Sequence, residues 1–119
     1  MTESPQAAPF ESFSVETLAQ RLAETGADVQ LIDVREPQEV AIASLPGFVN
    51  LPLSEFAEWS GAIHSRFEAD RETIVLCHHG MRSAQMCGWL AQQGFSQLKN
   101  VTGGIDAYAQ LVDRSVPRY

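Results

Sequence analysis

The chain has 119 residues, 45% of them hydrophobic and 19% charged, the balance of a soluble globular protein long enough to bury one core. Its formal charge of −7 argues against nucleic acid or an acidic membrane as the main partner, so any pull on an anion must be made locally. No stretch approaches the run of about 18 apolar residues of a membrane span, and MTESPQAAPF at the start has neither the basic segment nor the apolar run of a secretory signal, so a cytoplasmic protein is expected.

Residues 1–9, small and polar with two prolines, are expected to form a flexible tail, and residues 10–119 a single domain. Phe10 to Phe13 suits a short first strand. Ser14 is placed to cap a helix, with Thr17 where Glu or Gln is usual, and Val15, Leu18, Ala19 and Leu22 give that helix an apolar stripe that Gly26 closes. Val29 to Val34 reads as a second, buried strand that ends in charge at Asp33 and Arg35. Pro37 suits the first turn of a short helix over Pro37 to Ala43, with Glu36 and Glu39 near its positive end. Leu45-Pro46-Gly47 turns the chain into a third strand, Phe48 to Leu51. Ser54 then opens one helix carrying Phe56, Trp59, Ile63 and Phe67, and the charged run Glu68 to Glu72 is a solvated turn.

The stretch from Thr73 to Gln93 organises the rest. Ile74-Val75-Leu76 is the kind of short, β-branched-rich run that is buried on both faces of a parallel sheet. Such a strand delivers its next residue to the carboxyl edge of the sheet, where open α/β folds bind ligands. That residue is Cys77. A polar loop from Cys77 to Arg82 follows, then a helix from Ser83 with apolar positions at Met86, Trp89 and Leu90. The first N–H groups of a helix lack intrahelical partners and carry partial positive charge, so a loop curled over them makes an anion nest. With Cys77 at its mouth and Arg82 at its far end, the nest favours a thiolate and draws an anionic co-substrate. Gly80 permits the tight loop conformation. His78 and His79 lend backbone N–H groups to the nest while their rings shape its mouth. Adjacent imidazoles are not expected to converge, and the ligand spacings of structural zinc sites are absent, so no metal is expected.

Cys87 reads as a small apolar core residue, and two cysteines make no disulfide framework in a chain of this length. His64 reads as a surface residue. Gly94 stops the helix, Leu98 to Val101 forms the last strand, Thr102-Gly103-Gly104 bends the backbone, and Ile105, Tyr108 and Leu111 mark a final helix. Strands alternating with helices imply a parallel sheet covered on both faces. Asp33 and Arg35 read by themselves as a strand-end carboxylate that satisfies loop amides and a solvated ion pair. They share the sheet edge with Cys77, which makes them candidates to support its loop.

Cys77-His78-His79-Gly80-Met81-Arg82-Ser83 resembles the active-site loop C-x-x-G-x-R-S of rhodanese-type sulfurtransferases. Asp33 to Glu39, DVREPQE, resembles the D-V-R-E-x-x-E segment of that family. Pro46-Gly47 through Asn50-Leu51-Pro52-Leu53 is similar to its P-G-A-x-N-I-P-L, and Val101-Thr102-Gly103-Gly104-Ile105 to its closing Gly-Gly motif. The departures are Ala43 and Ser44 where Gly-His is frequent, Phe48 for alanine, and Tyr108 where tryptophan is common. The ending Val116-Pro117-Arg118-Tyr119 resembles rhodanese domains fused to ubiquitin-activating-like adenylyltransferases.

The resemblance implies a three-layer α/β fold whose central sheet has about five mostly parallel strands. It implies a sulfurtransferase in which Cys77 is catalytic, taking sulfane sulfur from thiosulfate or a protein persulfide and passing it to cyanide, a thiol or a protein. His78, His79, Gly80, Met81, Arg82 and Ser83 would bind the substrate, Asp33 and Arg35 would stand behind them, Gly103 and Gly104 would neighbour the loop, and neither metal nor cofactor is called for. A cysteine-based phosphatase or arsenate reductase shares the design, but such members carry a loop one residue longer between Cys and Arg. A non-enzymatic interaction module commonly lacks the cysteine, which this chain keeps. Donor and acceptor are left open.

Overall fold

A computed structural model describes residues 9–24 and 28–119. The expected tail, except Pro9, and the helix stop at Gly26 lie outside the described residues. Strands β1 (Glu11–Phe13), β2 (Gln30–Asp33), β3 (Val49–Asn50), β4 (Thr73–Leu76) and β5 (Leu98–Val101) form one five-stranded sheet in the order β1-β5-β4-β2-β3, with every neighbouring pair parallel. All of β4 is buried, as its unbroken apolar run requires of a central strand covered on both faces. Val75 and Ile32 face one side with Trp59, Ile63, Met86, Cys87 and Leu90, while Ile74 and Leu76 face the other with Val15, Leu18, Val101 and Ile105. Helices α1 (Val15–Ala23) and α6 (Gly104–Leu111) therefore cover one face, and α5 (Met81–Gln92) the other.

Helix α1 starts as its sequence dictates, with the Ser14 hydroxyl accepting from the Thr17 N–H at 3.1 Å. Helix α2 (Pro37–Ile42) places Pro37 at its start and is held by a reciprocal capping box between Glu36 and Glu39. The third strand is shorter than expected, because only Val49 and Asn50 pair with β2.

The single helix expected from Ser54 to Phe67 is instead broken into a 3₁₀ turn Leu53–Glu55, α3 (Phe56–Trp59), a second 3₁₀ turn Ser60–Ala62, and α4 (Ile63–Arg66). Glu55, Trp59 and Ala62 each sit at φ between −102° and −108° with ψ near zero, which tightens the coil. The Trp59 indole N–H donates to the Pro52 carbonyl at 2.8 Å, anchoring the first turn to the chain before it, and Ser54 bonds the Glu36 carboxylate instead of capping. Trp59 meets Phe56 and Trp89 edge-on, with ring centroids 5.1 and 5.9 Å away. Among the described residues no helix is long and apolar enough to cross a membrane.

Candidate active site: the Cys77 loop

Parallel pairing brings the carboxyl ends of β2 and β4 level, Asp33 opposite Leu76, and so places Cys77 beside Asp33 at one edge of the sheet. Helix α5 begins at Met81, two residues earlier than expected. Gly80 takes a left-handed backbone (φ 101°) at the N-cap, which lets the chain turn directly from the loop into the helix. Arg82 therefore lies in the first helical turn, above a loop that runs only from Cys77 to Gly80.

The loop is pinned from beneath by the start of α6. The Ile105 N–H donates to the Cys77 carbonyl at 2.9 Å, and the Asp106 N–H to the His78 carbonyl at 3.1 Å. This approach explains Gly104, where a Cβ would come within 2.4 Å of both the Cys77 and the His78 carbonyl oxygens. The cysteine itself is 1% exposed. Its Sγ accepts the Gly80 N–H at 3.0 Å and lies 3.3 Å from the Ser83 hydroxyl. Buried Asn100 on β5 orders this corner, donating from Nδ2 to the Gly80 carbonyl at 3.2 Å and accepting the Ser83 hydroxyl on Oδ1. Its polarity within a buried strand was the available signal of that role.

Arg82 does not point into open space. Glu39 receives it bidentately, at 2.7 Å from Nη1 and 2.9 Å from Nη2. That bond holds the Glu39 carboxyl down to about 2 against some opposition from burial, and it raises Arg82 above its ordinary value. Glu39 also accepts the Tyr119 hydroxyl at 2.9 Å, and the same hydroxyl accepts Arg35 Nη1 at 3.0 Å. The Tyr119 ring stacks on His78, with centroids 4.0 Å apart and planes 8° apart. Tyr119 thus packs against the loop, a role the sequence reading did not assign to it.

Asp33 and Arg35 stand below this network, and the expected solvated pair is wholly buried: Arg35 is 0% and Asp33 2% exposed. The reason is that the guanidinium's donors find partners inside the fold. Arg35 reaches both Asp33 oxygens, the Ala43 carbonyl at 2.7 Å, the Glu39 carbonyl and Tyr119. Burial opposes its charge, and the bonds to Asp33 and Tyr119 outweigh that, leaving its pKa raised. Asp33 Oδ1 also accepts the Arg35 backbone N–H at 3.0 Å. The pair braces the turn that carries α2, and so Glu39, without touching the sulfur.

At the mouth, Met81 is 77% exposed and His79 is exposed, whereas His78 is half-buried, its Nε2 without a hydrogen-bond partner. Burial pushes His78 below its ordinary value, helped by the neighbouring His79. The expectation that adjacent imidazoles stay apart fails in this loop. The His78 and His79 rings lie against each other with centroids 3.9 Å apart and planes tilted by 31°, and their ligand-capable nitrogens lie within 4.8 Å of each other and of an Asp106 oxygen. The bend at Thr102–Gly104 brings α6 and its Asp106 under the loop. Asp106 is lowered from its ordinary value by Arg118, whose Nε donates to it at 3.0 Å. Asp106 already has this cation. His64 is exposed, as its sequence suggests, and Cys87 is fully buried, its thiol pushed up to about 12 by burial first and by the charge of Cys77 second.

The chain matches the family model of the rhodanese-like domain over residues 14–111. It is 51% identical over 92 residues to the rhodanese-like/PpiC domain-containing protein 12, chloroplastic, of Arabidopsis thaliana, a match covering 77% of this chain and 31% of that longer protein, so the chain spans under a third of it. It is 39% identical over 95 residues to a protein of Allochromatium vinosum named sulfurtransferase, covering 80% of this chain and 84% of that one. The fold superposes on the crystal structure of a rhodanese-like domain protein from Staphylococcus aureus with a TM-score of 0.74, at 25% identity and over 92% of this chain and 99% of the other.

Proposed function

The chain belongs to the rhodanese-like domain family, and from that premise we propose that it is a sulfurtransferase that carries sulfur as a persulfide on Cys77. The observation that carries the reading is the setting of that sulfur, at the end of the central strand, with the Gly80 N–H at 3.0 Å and the Ser83 hydroxyl at 3.3 Å. A free cysteine kept only for packing, as Cys87 is, has no use for polar groups aimed at it. The kinship with a protein named sulfurtransferase supports the same reaction class.

In the first half-reaction the Cys77 thiolate attacks the sulfane sulfur of a donor such as thiosulfate or a protein persulfide. A new S–S bond forms, the donor's S–S bond breaks, and sulfite or a thiolate leaves with the electron pair. In the second, a thiophilic acceptor (cyanide, a thiol or a protein) attacks the outer sulfur and the Cys77 thiolate departs. The Gly80 N–H, with the positive end of α5 behind it, receives the charge that moves on sulfur. Both displacements occur at sulfur and draw on no metal or cofactor. His78, His79, Gly80, Met81 and Arg82 form the cradle that the leaving group occupies.

The test is formation of thiocyanate from cyanide and a sulfane-sulfur donor. The Cys77→Ser variant is expected to lose the activity entirely. Ser83→Ala, which removes the hydroxyl that holds Asn100 and through it the Gly80 corner of the loop, is expected to retain the fold and slow the reaction roughly fivefold, the worth of one neutral hydrogen bond. Full activity in Cys77→Ser contradicts the reading.

A further inference from the structure

We propose that Glu39 sets the donor selectivity of the Cys77 site: by neutralising Arg82 it turns the cradle away from sulfur dianions such as thiosulfate and toward persulfides of low charge. This rests on Cys77 being the sulfur carrier. Arg82 is the cation that the first turn of α5 offers to an incoming anion, and both of its terminal nitrogens are committed to the two Glu39 oxygens at 2.7 and 2.9 Å. The carboxylate is fixed there from three sides, by Arg82, by the Glu36 backbone N–H at 2.9 Å and by the Tyr119 hydroxyl. The other charges beside the loop cancel in the same way, since Arg118 is bonded to Asp106 and Arg35 to Asp33. Near the sulfur, each of these cations is matched by its own anion, on a chain whose formal charge is −7.

The two donor classes place different demands on such a cradle. With thiosulfate, the Cys77 thiolate displaces sulfite from the outer sulfur, so a thiolate and a dianion share the site before the S–S bond breaks and a dianion leaves it. With an organic persulfide, R–S–SH, the thiolate takes the outer sulfur with its proton, R–S⁻ leaves with the electron pair, and a single negative charge is conserved throughout. Backbone N–H groups suffice for the second case. The first needs a free cation, which Glu39 removes.

The experiment measures kcat/KM for loading Cys77 from two donors, thiosulfate and the persulfide of N-acetylcysteinamide, in the wild type, Glu39→Gln and Glu39→Asp. Glutamine keeps the size and hydrogen-bonding capacity of the side chain and removes its charge. The expected result is a rise of about tenfold with thiosulfate in Glu39→Gln and little change with the persulfide. Glu39→Asp, which restores the charge, is expected to keep the wild-type donor ratio. In the wild type, raising the ionic strength should speed the thiosulfate reaction, by screening repulsion, and leave the persulfide reaction flat. A Glu39→Gln ratio equal to wild type, a ratio moved equally by Gln and Asp, or a wild-type thiosulfate rate that falls with salt overturns the role of Glu39 and leaves the sulfurtransferase reading standing. Failure of both donors to load the wild type overturns that reading too.

Discussion

At the residue scale, the least replaceable polar contact is the Asp33–Arg35 pair. A fully buried ion pair contributes little net stability compared with an apolar pair of the same volume, but removing one partner strands the other's charge in the core. Arg35→Met is therefore expected to cost about 3–5 kcal/mol in urea or thermal unfolding, and adding Asp33→Asn to recover part of it. A loss under about 1 kcal/mol for Arg35→Met would mean that water reaches Asp33 in solution. The sequence located both charges at the strand end and at the edge shared with Cys77. It did not show their burial, because the acceptors that make burial possible, the carbonyls of Ala43 and Glu39 and the Tyr119 hydroxyl, come from segments whose approach is set by tertiary packing. Asn100 was missed for the same reason, since its partners Ser83 and Gly80 meet it only once β5 lies beside β4.

At the scale of elements, helix starts were legible wherever a local group defines them, as with the Ser14 cap of α1 and Pro37 of α2. The start of α5 was misplaced because its cap is Gly80, which caps through a left-handed backbone and gives no side-chain signal. The region from Ser54 to Phe67 misled in the opposite sense. Its apolar residues have helical spacing, yet packing of Trp59 against Phe56 and Trp89 is met by a coil that tightens twice. Helix α2 carries the clearest pH dependence. The Glu39 carboxyl, ordinarily near 4.5, is held at about 2 in the folded chain, chiefly by Arg82. Its contribution to stability is whole above pH 4.5 and is lost as pH falls from there toward 2. Glu39→Gln is expected to flatten the stability profile in that window without abolishing its slope, because Asp106 remains lowered by Arg118. Chemical denaturation at successive pH values reads this directly, and an unchanged slope would mean the ion pair is not formed in solution.

On the scale of the whole molecule, the alternation of strands and helices was enough to predict a parallel sheet covered on both faces, and Ile74-Val75-Leu76 reads as the continuous apolar run of its central strand. The strand order could not be read from alternation alone; it follows from where the crossovers run, and it makes β4 central and sets Cys77 at the edge above it. The central claim is that this architecture presents Cys77, and not Cys87, as the sulfur carrier. The measurement that tests it most directly is the intact mass of the protein after treatment with a sulfane-sulfur donor, alongside Cys77→Ser and Cys87→Ser. The account predicts a gain of one sulfur atom in the wild type and in Cys87→Ser, reversed by cyanide, and none in Cys77→Ser. A gain that persists in Cys77→Ser and vanishes in Cys87→Ser would contradict it.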